Sequence, residues 1–397
     1  MHADLLVVGG GPAALSAATA YRDHGGEGAV VLVCDEPTAP YERPALSKGF
    51  LRGETDAAEI ALASAASYPG RGITLLLRHS VTALEAADRR ALLSGGEPIT
   101  YGSCVLATGA RPAPLPVPGG DAPGIALLRS LADAEALREA ARTAARAVVV
   151  GSGFIGCEAA VSLARRGLDV TVVSAEPLPQ QARLGAGAAA RIAGWLEAEG
   201  VTLLGDTAVE ALAPKGDPAD RPHRVHLAGR GALDADLVLV AGGIAPVSGL
   251  AAQAGADVEQ DRVRVDEHLR SSVPGLLAAG DVACARNAAA GRHLAVEHWG
   301  EALAMGEVAG ATAAGSARVW DSVPGFWTEI GDRLLQYAGW GDGYSDARLV
   351  DHGEGDFTVW YSDADGRTVG VAASGREQDY ERGRALIASG DPVPDAG

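Results

Sequence analysis

The sequence predicts an α/β protein whose first three quarters repeat one strand–turn–helix–strand pattern, followed by a small α+β domain. Three observations predict it. A compact apolar strand, a glycine turn, an alanine-rich helix and a second apolar strand open the chain. The same succession returns near residue 147. Beyond about Ala317 the texture changes to alternating apolar and polar residues around a hairpin turn. A chain of 397 residues with 47% hydrophobic content is long enough for two or three cores, and its 53 glycines imply many tight turns.

The elements follow in order. Asp4 to Val8 is the first strand, Gly9-Gly10-Gly11-Pro12 the turn, Ala13 to Tyr21 the helix, and Ala29 to Cys34 the second strand, ending at Asp35-Glu36. Gly9, Gly11 and Ala14 take the three positions of G-x-G-x-x-G/A. The first glycine permits the tight turn, and the second lets the backbone approach a pyrophosphate. The third, small residue lets helix and strand pack closely. Such a turn alone is a common strand–helix connection. A strand before it, a helix after it and an acid some ~20 residues on make it a dinucleotide site, with the phosphates at the helix N-terminus. In the second copy Ala147 to Val150 is the strand and Gly151-Ser152-Gly153-Phe154-Ile155-Gly156 the turn. Cys157 to Arg166 is the helix and Asp169 to Val173 the next strand. Two Rossmann-like dinucleotide-binding domains are therefore expected.

Proline-rich Arg111 to Gly120 cannot be helix or central strand and marks one crossing between domains. Ala241 to Pro246, just past the strand Leu237 to Val240, marks a second and carries Gly243. The expected domains are residues 1–112 with 241–316, residues 113–240, and residues 317–397. In the last, Phe357 to Tyr361 alternates and Asp365-Gly366 turns the chain into Thr368 to Ala372. The tail Gly390 to Gly397 is expected to be disordered.

Charge and cysteines narrow the function. The net charge of −18 repels polyanions, so a nucleic-acid partner is not expected. No stretch reads as a secretory leader or approaches the ~20 apolar residues of a membrane span, giving the expectation of a soluble, cytoplasmic protein without a membrane partner. Cys34, Cys104, Cys157 and Cys284 stand far apart, with no C-x-x-C or C-x4-C pair, so neither a metal site nor a local redox disulfide is read.

Beyond the fingerprints, the chain carries Pro40-Tyr41-Glu42-Arg43-Pro44-Ala45-Leu46-Ser47-Lys48, Leu106 to Pro112, Ala278 to Ala283, Glu297-His298-Trp299 and Phe326-Trp327. In their order and spacing these pieces resemble the FAD-dependent, NAD(P)H-using ferredoxin or rubredoxin reductases that serve oxygenases. These belong to the glutathione-reductase-like flavoproteins, with the apoptosis-inducing-factor flavoproteins as relatives. The resemblance covers nearly the whole chain and implies FAD on the first fingerprint and NADH or NADPH on the second. Carried over, it places Pro12, Ala13 and Ala14 at the flavin pyrophosphate and Asp35 or Glu36 at the adenosine ribose. Arg43 and Arg129 would lie near phosphates, and Val81 would offer backbone to the adenine. Ala107, Thr108, Gly109, Glu297 and His298 would be further cofactor contacts, Asp281 would take a ribityl hydroxyl, and Trp299 would lie near the isoalloxazine. Arg129 as a surface charge and Trp299 as a core aromatic stay open.

The resemblance also pairs Lys48 with Glu158 beside the flavin edge that receives hydride, where a fixed positive charge stabilises the reduced ring. Phe154 would shield the nicotinamide pocket or serve as a plain core residue at the helix start, with Ile155 and Gly156 completing the turn. The pattern departs at Ser174, where NADH users carry an acid. Glu176 favours NADH, whereas Ser174 with Arg183 would favour a 2′-phosphate. It departs again at Thr328-Glu329-Ile330, where a glutamine is usual. The leading function is electron transfer from NAD(P)H through FAD to a ferredoxin-like iron–sulfur protein, serving an oxygenase or P450. A quinone, dye or oxygen reductase and a slow redox-sensing flavoprotein are the alternatives. A homodimer is compatible with the sequence. Arg292, Arg318 and Arg333 are the candidate basic residues for docking an acidic partner.

Overall fold

The computed structural model describes residues 1–214 and 223–395. Its chain divides into two compact units. The first comprises Met1–Glu42, Ile60–Arg111 and Ala245–Phe326; the second comprises Arg43–Glu59, Pro112–Ile244 and Trp327–Gly397. Two of the limits fall at the proline-rich segment and at the glycine segment after Val240. The segment carrying Lys48 and the C-terminal residues cluster with the second nucleotide-type fold.

In the first unit the strand Val30–Cys34 is wholly buried, as befits a near-continuous aliphatic run covered on both faces. It lies parallel between His2–Val8 and Ile73–Leu77. Ile99–Leu106 is the other parallel neighbour of His2–Val8 and also pairs in parallel with Leu276–Ala278. Arg90–Leu93 and Val81–Glu85 continue the sheet antiparallel. Helix Pro12–Asp23 follows the first strand, with proline at its first turn, where no amide donor is needed. It packs on helix Trp299–Ala313 through small residues. A Cβ on Gly306 would lie 2.4 Å from the Ala13 carbonyl oxygen, and one on Gly310 would lie 2.1 Å from that of Ala17. A four-stranded sheet of Val258–Glu259, Arg262–Val265, Ala283–Asn287 and Arg292–Ala295 belongs to the same unit.

The second unit repeats the design. Arg146–Val150 lies between Asp169–Val173 and Leu237–Val240, with Thr202–Leu204 and Ile125–Ala126 at the edges, all parallel. Helix Phe154–Arg165 follows the central strand. Asp346–Gly353, Asp356–Ser362 and Thr368–Ser374 form an antiparallel run closed by helix Glu377–Ser389. The Asp365-Gly366 turn forms as expected: Gly366 has φ 79° and donates its amide to the Asp363 carbonyl.

The tail departs from expectation. Gly390 caps the last helix in the left-handed region. Thr368 donates its amide to the Asp391 carbonyl, Val393 donates to Gly366, and Arg348 reaches the Pro394 carbonyl. Backbone hydrogen bonds to the hairpin thus order 390–395; Ala396 and Gly397 lie outside the described residues. No helix among the described residues is long and apolar enough to cross a membrane.

Candidate dinucleotide sites and a buried lysine–glutamate pair

The first glycine turn stands at the carboxyl end of His2–Val8. Gly9 has φ 137°, and a Cβ there would come within 2.1 Å of the Ala107 carbonyl oxygen, so only glycine fits. Ala107 is itself held by donating its amide to Val8, and Thr108 donates its hydroxyl to the Val247 carbonyl at 2.7 Å. Gly109, with φ 63°, turns the chain away. At Gly11 the situation reverses. A Cβ would meet nothing within 4 Å, and Gly11 caps helix Pro12–Asp23 in an extended conformation without any side-chain cap. Ala14 is fully buried. The helix end is open at Gly11, where a pyrophosphate would approach its amides, so these residues fit a dinucleotide.

The remaining flavin candidates of this unit are placed as follows. Asp281 sits in the short turn Gly280–Val282, beside the start of helix Pro12–Asp23; a Cβ on Gly280 would lie 3.2 Å from that of Ala13. Asp35 is exposed just past its strand, whereas the Glu36 carboxylate accepts the Tyr41 hydroxyl at 2.7 Å. Val81 begins its strand half-buried. Half-buried Trp299 opens helix Trp299–Ala313, and the ring of the preceding His298 lies 4.8 Å from that of Phe326. Glu297 is exposed and committed to an ion pair with Arg262.

The second turn has the same geometry. Gly151 (φ 109°) leaves only 2.4 Å between a Cβ and the Ala241 carbonyl oxygen, and Gly156 only 2.2 Å to that of Gly151. Gly153 is open, its nearest neighbour being the Gln180 amide nitrogen at 3.9 Å, and it caps helix Phe154–Arg165 without a side-chain cap. Phe154 is half-buried and Ile155 is 41% exposed at the helix start. Gly243 has φ 126° and accepts the Ala113 amide on its carbonyl.

Ser174 does not occupy the open position expected of a ribose or phosphate ligand. It is 2% exposed, its hydroxyl lies 2.7 Å from that of Ser152, and its oxygen accepts the Glu176 amide. The hydroxyl braces the glycine turn instead. Half-buried Glu176 accepts the Ala182 amide on one carboxylate oxygen, and Arg183 is exposed on the following helix. Gln180, which the sequence did not single out, is the side chain that reaches the second glycine.

Lys48 and Glu158 meet, in the second unit, as the resemblance implies. Lys48 directly follows the short turn Arg43–Ser47, and Glu158 projects from helix Phe154–Arg165. Their side chains are 9% and 5% exposed, and Nζ lies 2.8 Å from Oε2. Ser47 donates to the same carboxylate oxygen at 2.5 Å, and Thr328 donates to Oε1 at 2.6 Å. Lys48 also donates to the Pro44 carbonyl at 3.0 Å and lies 4.9 Å from the centre of the Trp327 ring. A buried ion pair is costly unless further partners support it, and here Ser47, Thr328 and the Pro44 carbonyl do so. Ser47 and Thr328 were legible only as neighbours of a motif and as a departure from one. Arg43 donates to the Arg129 carbonyl at 2.8 Å, and Arg129 precedes a capping box in which Ser130 and Asp133 bond reciprocally.

Residues 3–306 match the family described as pyridine nucleotide-disulphide oxidoreductase, and residues 325–397 match the reductase C-terminal family. The chain belongs to the pyridine nucleotide-disulphide oxidoreductase family. This oxidoreductase uses FAD and NAD(P)H. It is 35% identical over 395 residues to the 5,5′-dehydrodivanillate O-demethylase ferredoxin reductase subunit of Sphingobium, covering 99% of this chain and 95% of the other. It is 30% identical over 397 residues to putidaredoxin reductase of Pseudomonas putida, covering 98% and 93%. Among solved structures, the ferredoxin reductase for the CYP199A2 system of Rhodopseudomonas palustris superposes with a TM-score of 0.92 at 28% identity, covering 98% and 96%. The covalent putidaredoxin reductase–putidaredoxin complex gives 0.92 at 29%, covering 98% and 94%. These likenesses bear out the α/β architecture of the oxidoreductase and its C-terminal reductase domain.

Proposed function

We propose that this oxidoreductase passes electrons from NADH through FAD to a ferredoxin-like iron–sulfur protein serving an oxygenase or P450. The observation that carries the reading is that a member of a disulphide-oxidoreductase family has all four of its cysteines free and buried. Burial pushes the Cys157 thiol up to about 12 and raises those of Cys104 and Cys284. Thiols so held are poor nucleophiles at neutral pH, and with Cys34 buried as well this supports an external electron acceptor. Relatives that match over 84–99% of this chain are named for ferredoxin, rubredoxin or putidaredoxin.

Bound FAD supplies the conversion of a two-electron hydride into single electrons. The chain's own residues then have simple duties. Gly11 and the open amides of helix Pro12–Asp23 hold the flavin pyrophosphate, and Asp35 takes the ribose. Gly153 and helix Phe154–Arg165 do the same for the nicotinamide nucleotide. Lys48 provides a positive charge for the reduced flavin, and Glu158, gripped by Ser47 and Thr328, keeps that charge in place. Glu176 keeps a carboxylate near the end of its strand, which disfavours a 2′-phosphate and so favours NADH. A cytoplasmic location and a homodimer are compatible with this reading, and the net charge of −18 speaks against nucleic acid.

The test is NADH-dependent reduction of cytochrome c with and without a panel of ferredoxins. Slow reduction alone and a steep rise with a cognate ferredoxin are expected. Efficient reduction of quinones with no acceleration by any ferredoxin overturns the reading.

A further inference from the structure

We infer that Gln180 is a binding residue for the pyrophosphate of the nicotinamide nucleotide. The inference rests on the placement of that nucleotide at the second glycine turn. Three observations meet at this residue. Its backbone is in the left-handed region, φ 58° and ψ 22°, which a glutamine adopts only where the surroundings impose it. The chain there is over-determined: Arg183 and Leu184 both donate their amides to the Gln180 carbonyl, and the Leu184 carbonyl accepts the buried Tyr361 hydroxyl at 2.8 Å. The helix that follows breaks at Gly185 (φ 78°, ψ 166°), so the turn 181–184 is set separately from the rest of that helix.

The second observation is direction. The side-chain amide nitrogen of Gln180 is the one neighbour within 4 Å of a Cβ built on Gly153. This glycine is the second of its fingerprint, where the backbone lets a pyrophosphate come close. The third is chemistry. Gly153 caps helix Phe154–Arg165 with no side chain of its own, leaving the first amides for an anion. A primary amide donor at the same point adds a hydrogen bond without adding charge. Ser152 and Ser174 share one hydrogen bond at 2.7 Å inside the turn. Contact at the pyrophosphate, common to NADH and NADPH, predicts an effect on affinity with no effect on the choice between them.

The holoenzyme is titrated with ADP-ribose, NAD+, NADP+ and adenosine, reading binding by calorimetry. Gln180→Ala and Gln180→Gly should each raise the Kd for ADP-ribose about tenfold, raise those for NAD+ and NADP+ by the same factor, and leave adenosine binding unchanged. Gln180→Gly, which suits a left-handed turn, should unfold no lower than the wild type, so a loss of affinity there is not a loss of fold. Unchanged ADP-ribose affinity in Gln180→Gly overturns the inference, as does an effect confined to NADP+, which would place the amide at the 2′ end. A wild-type protein that binds no ADP-ribose would instead overturn the placement of the nucleotide.

Discussion

At the level of single residues, the two glycine turns separate positions that serve the fold from positions that serve the ligand. A Cβ on Gly153 meets no backbone, whereas one on Gly151 would strike the Ala241 carbonyl at 2.4 Å from a backbone at φ 109°. Gly153→Val should therefore fold, retain FAD and lose nicotinamide nucleotide binding, with the Kd raised at least about tenfold, roughly 1.4 kcal/mol. Gly151→Val should lose soluble, folded protein. Loss of FAD from Gly153→Val would show that the two fingerprints exchange ligands. Glu158 provides a second case. Its carboxylate balances the buried Lys48 charge and accepts two hydroxyls, so Glu158→Gln leaves a buried ammonium without its counter-charge. Breaking such a pair costs about 3 kcal/mol. Urea unfolding should report a loss of that order, and stopped-flow mixing with NADH should report slower flavin reduction. Unchanged stability would mean that water compensates the charge.

Among elements, the packing of helix Trp299–Ala313 on helix Pro12–Asp23 ties the first fingerprint to a distant part of the chain. Gly306 and Gly310 stand one helical turn apart and face the carbonyls of Ala13 and Ala17. Gly310→Ala would place a methyl 2.1 Å from the Ala17 carbonyl oxygen. It should push the helices apart, destabilise by about 1–3 kcal/mol and lower FAD retention, read as the flavin-to-protein absorbance ratio after gel filtration. Full retention at unchanged stability would refute a link between this contact and the site. The same contact marks the limit of sequence reading. Strand, turn and helix were legible because their periodicities are local, and so were Gly9, Gly11, Gly151 and Gly153, because each sits between them. The glycine pair on the later helix carries no meaning until its partner is known. Thr328 is a parallel case, lying 170 residues from the carboxylate it serves. Ser174 misled for a related reason: a position at a strand end says nothing about which way the hydroxyl turns, and here it turns inward to Ser152. The tail reads as disordered because it is terminal, yet its backbone completes the hairpin Asp356–Ser374 through Asp391 and Val393.

For the whole molecule, burial of weak acids sets the response to alkali. Tyr68 and Tyr101 are pushed up from 10.0 to about 12 mainly by desolvation, and Cys157 from 9.0 to about 12 by the same cause. Each folded value exceeds the unfolded one, so the stability these groups contribute is whole below about pH 9 and is lost as pH rises towards 12. The urea midpoint should fall steadily across that interval; a midpoint flat to pH 11.5 would mean these groups ionise without unfolding.

Net charge raises the further question of how a chain at −18 meets an acidic ferredoxin. One docking candidate, Arg318, and three further arginines of the first unit are paired with carboxylates. Arg318 pairs with Glu307 at 3.1 Å, Arg286 with Glu267 at 3.0 Å, Arg264 with Glu259 at 3.7 Å, and Arg262 with Glu297. The second unit exposes large apolar side chains, among them Trp327 and Leu334 at 42% and 41%. Long-range attraction of opposite charges makes association fall steeply with ionic strength, whereas apolar docking between like-charged partners does not. The kcat/KM for a cognate ferredoxin should therefore vary by less than about 3-fold between roughly 20 and 200 mM salt, a span over which the screening length shortens to well under 10 Å. Trp327→Ala should lower it by about tenfold, the cost of losing an exposed aromatic anchor. A tenfold fall with salt in the wild type would instead demand a basic face, and Arg292 and Arg333 would be the first residues to reverse in sign.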